Sequence, residues 1–160
     1  MAKVAVAKRD STRETPIYEI SSFRPLDSVG RLVARVHQTL LNALEADLAP
    51  LGLTAAQGIV IIGLANGLAS TAGEICRGMP YDPGSMTRLL DHLERMGYVV
   101  RERSSEDRRV VKVTLTEQGQ TAYSQVVQAG VNNLNRHLRG FSKAEASQLE
   151  DYLRRILAND

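Results

Sequence analysis

The apolar positions of this chain fall into helical stripes, interrupted once by an alternation of period two. Val29, Val33, Val36, Leu40, Leu44 and Leu48 recur at the spacing that places side chains on one face of a helix, and Leu32 and Leu41 widen that face. A stripe this wide serves two partners. Asp27 or Ser28 can cap the helix, and Pro50 marks its end. Three later helix starts carry a capping box, in which a Ser or Thr and a Glu or Gln three residues on satisfy each other's backbone N–H groups. Thr54 and Gln57 precede Ile59, Val60, Ile62 and Leu64, with Asn66-Gly67 as a stop. Thr71 and Glu74 open a short helix through Cys76 to Met79. Ser142 and Glu145 open the last helix, striped by Leu149, Tyr152, Leu153, Ile156 and Leu157.

The period-two pattern lies in the stretch 81–116. After the Pro80-Tyr81 turn, Asp82 can cap, Pro83 suits the first helical position, and Leu89, Leu90, Leu93 and Met96 follow at helical spacing until Gly97 ends the run. Residues 98–103 and 111–116 then read as two strands, the second alternating Val111, Val113 and Leu115 with Lys112, Thr114 and Thr116. The polar loop between them, 104–109, is tipped with arginines. Thr116 caps a long helix with Ala122, Val126, Val127, Val131, Leu134 and Leu138 on one side, and Gly140 breaks it. Two short helices joined by a turn and followed by a hairpin with a basic tip form a winged helix-turn-helix. The fold expected is mainly α with a small β-hairpin wing. It comprises a mobile N-terminal arm (1–25), a winged helix-turn-helix (51–116), and a helical dimerisation region assembled from 26–50 and 117–160. Within the arm, Ile17, Tyr18, Ile20 and Phe23 interrupt the polarity and are expected to pack onto something, a second subunit among the candidates.

Composition changes this picture little. In 160 residues the net charge is only +2, so any attraction for nucleic acid must be local. Residues 101–112 hold five basic and three acidic side chains, and residues 1–13 hold four basic and one acidic. The single cysteine, Cys76, excludes an intramolecular disulfide and points to a reducing compartment. No apolar run approaches the roughly 20 residues of a membrane span, and residues 1–10 are too briefly apolar for a signal peptide, so a soluble cytoplasmic protein without a membrane partner is expected.

The order of elements, together with the run Asp82-Pro83-Gly84-Ser85-Met86-Thr87-Arg88-Leu89-Leu90-Asp91-His92-Leu93-Glu94-Arg95-Met96-Gly97-Tyr98-Val99 and the segment from Glu106-Asp107-Arg108-Arg109 to Leu115-Thr116-Glu117-Gln118-Gly119, resembles the MarR family of bacterial transcriptional regulators from about Asp27 onward. The resemblance implies a homodimer held by its N- and C-terminal helices, with one recognition helix and one wing per subunit. It implies double-stranded DNA, a pseudo-palindromic operator, as the partner. It further implies a small, often anionic aromatic effector bound between the dimer helices and the winged region, in a pocket lined by the first, second and fifth helices. No cofactor is implied.

On that footing the recognition helix enters the major groove by its N-terminal end. Ser85, Thr87 and Arg88 then reach base edges, Arg88 with a fork suited to guanine, while the helix start around Asp82 and Gly84 admits a phosphate. The competing reading of Arg88 is an ion pair with Asp91, and that of Ser85 is a support for the Asp82 cap. On the wing, Arg109 matches the arginine that the family inserts into the minor groove, and Asp107 matches an acid that orients an arginine such as Arg109 or Arg88. Arg103 and Arg108 are candidate phosphate contacts, with Arg101 and Lys112 weaker ones. Arg31, Arg35 and His37 on the first helix are the ligand candidates, each weighed against a solvated or interfacial role.

Other chemistries find less support. Cys76 reads either as a redox sensor within the same fold or as a small buried hydrophobe. His92 and His137 show no metal-ligand spacing with each other or with Cys76. Ser85, Asp91 and His92 point in different directions from one helix and make no hydrolase triad, so no enzyme is expected. A winged-helix protein-interaction module that never meets DNA would leave the wing arginines without a role. The expected protein is a dimeric repressor of transcription released by a small effector.

Overall fold

A computed structural model of the chain describes residues 16–77, 82–105, 107 and 109–159, in two units, Met1–Val36 and His37–Asp160. The expected mobile arm falls largely on residues 1–15, which lie outside the described residues.

In the first unit a 3-10 turn at Pro25–Asp27 leads into helix α1 (Val29–Leu48). Ser28, not Asp27, is its cap: the Ser28 hydroxyl accepts the Arg31 N–H at 3.4 Å. The Tyr18 hydroxyl accepts the Val29 N–H at 3.0 Å, and the rings of Tyr18 and Phe23 meet edge to face with centroids 5.3 Å apart. The two rings before the helix therefore pack on one another, and the Tyr18 and Ser28 hydroxyls each take one of the amide donors that every helix start leaves unpaired. The apolar stripe on this part of α1 stays open, with Val29, Leu32, Val33 and Val36 all exposed.

In the second unit α1 ends through a 3-10 turn at Ala49–Leu51. Helices α2 (Ala55–Ala65), α3 (Ala72–Arg77) and α4 (Pro83–Arg95) follow, then strands β1 (Val99–Arg103) and β2 (Val111–Leu115), and helices α5 (Glu117–His137) and α6 (Lys143–Leu157). All three expected capping boxes form. Thr54 and Gln57 exchange both bonds at the start of α2, as do Ser142 and Glu145 at α6. At α3 the Glu74 N–H donates to the Thr71 hydroxyl at 3.2 Å and the Thr71 N–H to the Glu74 carboxylate at 3.1 Å. Residues 78–81, where α3 was expected to continue and turn, lie outside the described residues.

The hairpin is antiparallel, pairing Val99 with Leu115, Arg101 with Val113 and Arg103 with Val111. The middle of β2 is tied to the segment before α3, because the Val113 N–H donates to the Ser70 carbonyl at 2.7 Å. Each strand is one residue shorter than its pattern suggested. Tyr98 is taken up in closing α4, and Thr116 leaves the sheet to accept the Gly119 N–H at 3.0 Å as the cap of α5.

The core lies where these elements meet. Leu48, Ile61, Leu90, Leu93, Val113 and Val126 are essentially inaccessible, each such side chain being worth about 1.5–3 kcal/mol when withdrawn from water. Two glycines set the geometry at the wing. Gly97 adopts φ 74°, the left-handed closure in which the Tyr98 N–H reaches back to the Leu93 carbonyl at 2.9 Å. Gly119 lies directly over the chain leaving α4, and a Cβ there would stand 2.0 Å from the Tyr98 carbonyl oxygen. The glycine of the Leu-Thr-x-x-Gly motif is thus required by close approach of α5 to β1. Between α1 and α5, the Asn133 amide donates to the Leu40 carbonyl at 2.9 Å and Arg136 pairs with Asp47 at 2.8 Å. Among the described residues no single helix is long and apolar enough to cross a membrane.

Candidate nucleic-acid interface

The start of α4 is organised by Asp82. One carboxylate oxygen accepts the N–H groups of Gly84 and Ser85 at 2.9 and 3.0 Å, and the other accepts the Ser85 hydroxyl at 2.6 Å. The Ser85 hydroxyl, then the Ser85 and Gly84 amides, hold the Asp82 carboxyl below the usual carboxylate range. Ser85 is therefore committed to the cap, the second of the two roles its position allowed. Its oxygen also accepts from Arg88 Nη2 at 3.1 Å, which draws the guanidinium toward the N-terminal end of the helix. The Thr87 hydroxyl donates to the Pro83 carbonyl at 2.8 Å, while Gly84, Thr87 and Arg88 stay exposed.

The competing pair of Arg88 with Asp91 does not form. Asp91 is instead held by Arg101 of β1, with Nη1 2.6 Å from Oδ1. The same guanidinium donates to the Thr87 carbonyl at 3.3 Å and stands 3.7 Å from Glu94. Arg101, a weak phosphate candidate in the sequence, is thus a bridge between wing and recognition helix. Nothing local signals this, because the partners are ten residues apart and meet only once the hairpin has docked.

At the tip of the wing the Asp107 carboxylate accepts the Arg109 backbone N–H at 2.9 Å, and the Asp107 carbonyl accepts the Val110 N–H. Among the described residues, Asp107 acts on the Arg109 main chain and meets no guanidinium. This leaves the Arg109 side chain exposed beyond a closed turn, and Arg103 exposed at the end of β1. Arg108 lies outside the described residues.

The ligand candidates separate. Arg31 and Arg35 belong to the first unit, where both are exposed. His37 lines a concavity of about 530 Å³ with Gln38, Leu41 and Glu45 of α1, the first residues of α2, and Leu89 of α4. The fifth helix, expected to line such a pocket, contributes nothing to this one; the fourth takes that place. Cys76 is partly buried and packs against the core, as a small hydrophobe does.

Comparison with known proteins agrees with this architecture. Residues 51–110 match the model of the MarR family. The multiple antibiotic resistance protein MarR of Escherichia coli K12 is 32% identical over 136 residues, covering 84% of this chain and 94% of that protein. The transcriptional repressor MdtR of Bacillus subtilis is 26% identical over 121 residues, 76% of each. A mutant E. coli MarR crystallised with operator DNA superimposes with a TM-score of 0.72 at 32% identity, covering 83% of this chain and 94% of that one. A family-model match across residues 51–110 and 32% identity over most of both chains are more than a shared shape, and the chain belongs to the MarR family of transcriptional regulators.

Proposed function

We propose that this protein is a cytoplasmic homodimeric repressor without enzymatic activity, which occupies a pseudo-palindromic operator and is released by a small effector. The observation that carries the DNA reading is the disposition of two exposed arginines on closed local structure. Arg88 stands beside the capped start of α4, and Arg109 stands on a wing turn locked by Asp107. A guanidinium at a helix start suits a guanine edge in the major groove, and one at a hairpin tip suits the negative potential of a narrow minor groove. Ser85, committed to the cap, serves by orienting Arg88, while Asp82, Gly84 and Thr87 shape the approach to the backbone. Arg103, exposed at the end of β1, is read as a phosphate contact, and Arg108, outside the described residues, keeps that role from the sequence alone.

Dimerisation is supported by the open stripes of α1, α5 and α6, which a second copy would cover. The effector is supported by the concavity at His37, whose volume lies within the range of about 300–1,000 Å³ usual for small-molecule sites. Leu41, Ile59 and Leu89 in its lining suit an aromatic compound, and His37 is one of several polar groups around it, with Gln38 and Glu45. Arg31 and Arg35 are not assigned to it.

The test is affinity for operator and for random duplex across a salt series. Arg88→Ala should cost about 1–3 kcal/mol on operator and much less on random duplex. Arg109→Ala should weaken both, most strongly on operators with A·T-rich flanks, and flatten the salt slope by about one unit. Equal losses on both DNAs for both variants would reduce the two arginines to phosphate contacts and sink this assignment of the reading residues.

A further inference from the structure

Arg88 has two acceptors at helical reach, the Ser85 hydroxyl three residues before it and the Asp91 carboxylate three residues after it. A carboxylate is the stronger acceptor for a guanidinium, so an isolated α4 would turn Arg88 toward Asp91 and away from the end of the helix that meets DNA. The folded chain has the opposite arrangement. Arg88 is bonded to Ser85 and, among the described residues, enters no ion pair, whereas Asp91 lies 2.6 Å from Arg101.

We infer that Arg101 is a positioning residue: by occupying Asp91 it keeps Arg88 turned toward the N-terminal end of the recognition helix and available to a base. Three observations converge on Arg101. Its side chain is 23% exposed, so β1 holds it in place; it takes Asp91 and Glu94 together; and it also donates to the Thr87 carbonyl on the reading face. Asp91 is 49% exposed, so the pair contributes little to stability and its effect falls on which partner Arg88 selects. Arg101 also covers two carboxylates that would otherwise face the phosphates beside the helix. The inference rests on the reading that Arg88 contacts a base.

The experiment is the ratio of operator to random-duplex affinity at fixed salt for wild type, R88A, R101A, D91A and the double variant D91A/R101A, with thermal midpoints measured alongside. R101A should lower the ratio about tenfold, because Asp91 then captures Arg88 and one base contact is lost. D91A/R101A should recover the ratio to within about threefold of wild type, since the capturing carboxylate is gone, although both double and single variants lack the arginine. D91A alone should leave the ratio unchanged. A structural or phosphate-binding role for Arg101 predicts no recovery, so a double variant as poor as R101A overturns the inference, as does an unaltered ratio in R101A. The R88A control separates the two levels. If R88A leaves the ratio at its wild-type value, the reading of Arg88 itself fails; if R88A lowers it and the double variant does not recover, only the role of Arg101 fails.

Discussion

Helices α4 and α6 carry equally clear apolar stripes and end in opposite situations. In α4, Met86, Leu90 and Leu93 are buried beneath the wing, and the polar side chains of the other face are engaged with one another. In α6 no residue is buried: Leu149, Tyr152, Leu153 and Ile156 are each 38–50% exposed. The first part of α1 resembles α6 in this respect, and its only buried residue is Leu48 at the far end. An amphipathic pattern therefore specifies that a face needs covering without specifying by what. Where the chain supplies the cover, the result is a closed reading head. Where no described residue covers it, the stripe stays open, and the dimer proposed above would close it.

The sharpest way to break the closed region is at Gly119. A Cβ 2.0 Å from the Tyr98 carbonyl cannot be absorbed by side-chain adjustment, because the obstacle is backbone. Gly119→Ala should cost about 3 kcal/mol or more, the upper end for overpacking, and lower the thermal midpoint by roughly 6–12 °C. Gly63→Ala is the control, since nothing lies within 4 Å of its Cβ position in α2, and it should be neutral or stabilising by up to about 1 kcal/mol. Equal midpoints for the two variants would mean that α5 does not press on Tyr98 in solution.

The open region is probed by Leu153→Asp. If a second copy covers α6, the variant buries a lone carboxylate at a cost of several kcal/mol and should sediment as a monomer where the wild type is a dimer. A wild type that is well folded and monomeric at micromolar concentration would remove the second copy from the account.

The same contrast separates what was legible in the sequence from what was not. The boxes at Thr54, Thr71 and Ser142, the Asp82 cap and the Thr116 cap each close within three residues, and all are present where their residue types placed them. The hairpin was legible because alternation along a strand is also local. Contacts spanning ten or more residues were not. The Arg101–Asp91 bridge, the Tyr18 hydroxyl on the Val29 amide and the Gly119 approach to Tyr98 all depend on how finished elements dock. At Ser85 the sequence left two roles open because one hydroxyl can cap or read, and only the 2.6 Å contact with Asp82 decides between them. The concavity at His37 was anticipated on α1 and α2, but not the Leu89 wall, since the facing of α4 is set by the same docking.

The smallest expected effect concerns the Asp82 cap and its dependence on pH. The Ser85 hydroxyl and the Ser85 and Gly84 amides all donate to this carboxylate and favour its charged form, so its folded pKa lies below its ordinary 3.8. A depressed carboxyl pKa contributes stability that is fully present above the unfolded value and is lost as pH falls through the folded value. Glu74 and Glu145 are depressed in the same direction by the Ser70 and Ser142 donors, so the acid limb of the wild type alone mixes three caps. The Asp82→Asn variant isolates one of them. Asparagine still accepts at an N-cap but does not titrate, so the variant retains the Glu74 and Glu145 contributions and lacks that of Asp82. Thermal midpoints of both proteins from neutral pH downward should differ by a small constant amount until the pH passes below about 4, and the gap should then close. A gap that persists unchanged into acid would mean that the charge on Asp82 adds nothing to its hydrogen bonds. A gap that closes above the ordinary carboxylate range would mean that the cap is not held as the start of α4 displays it.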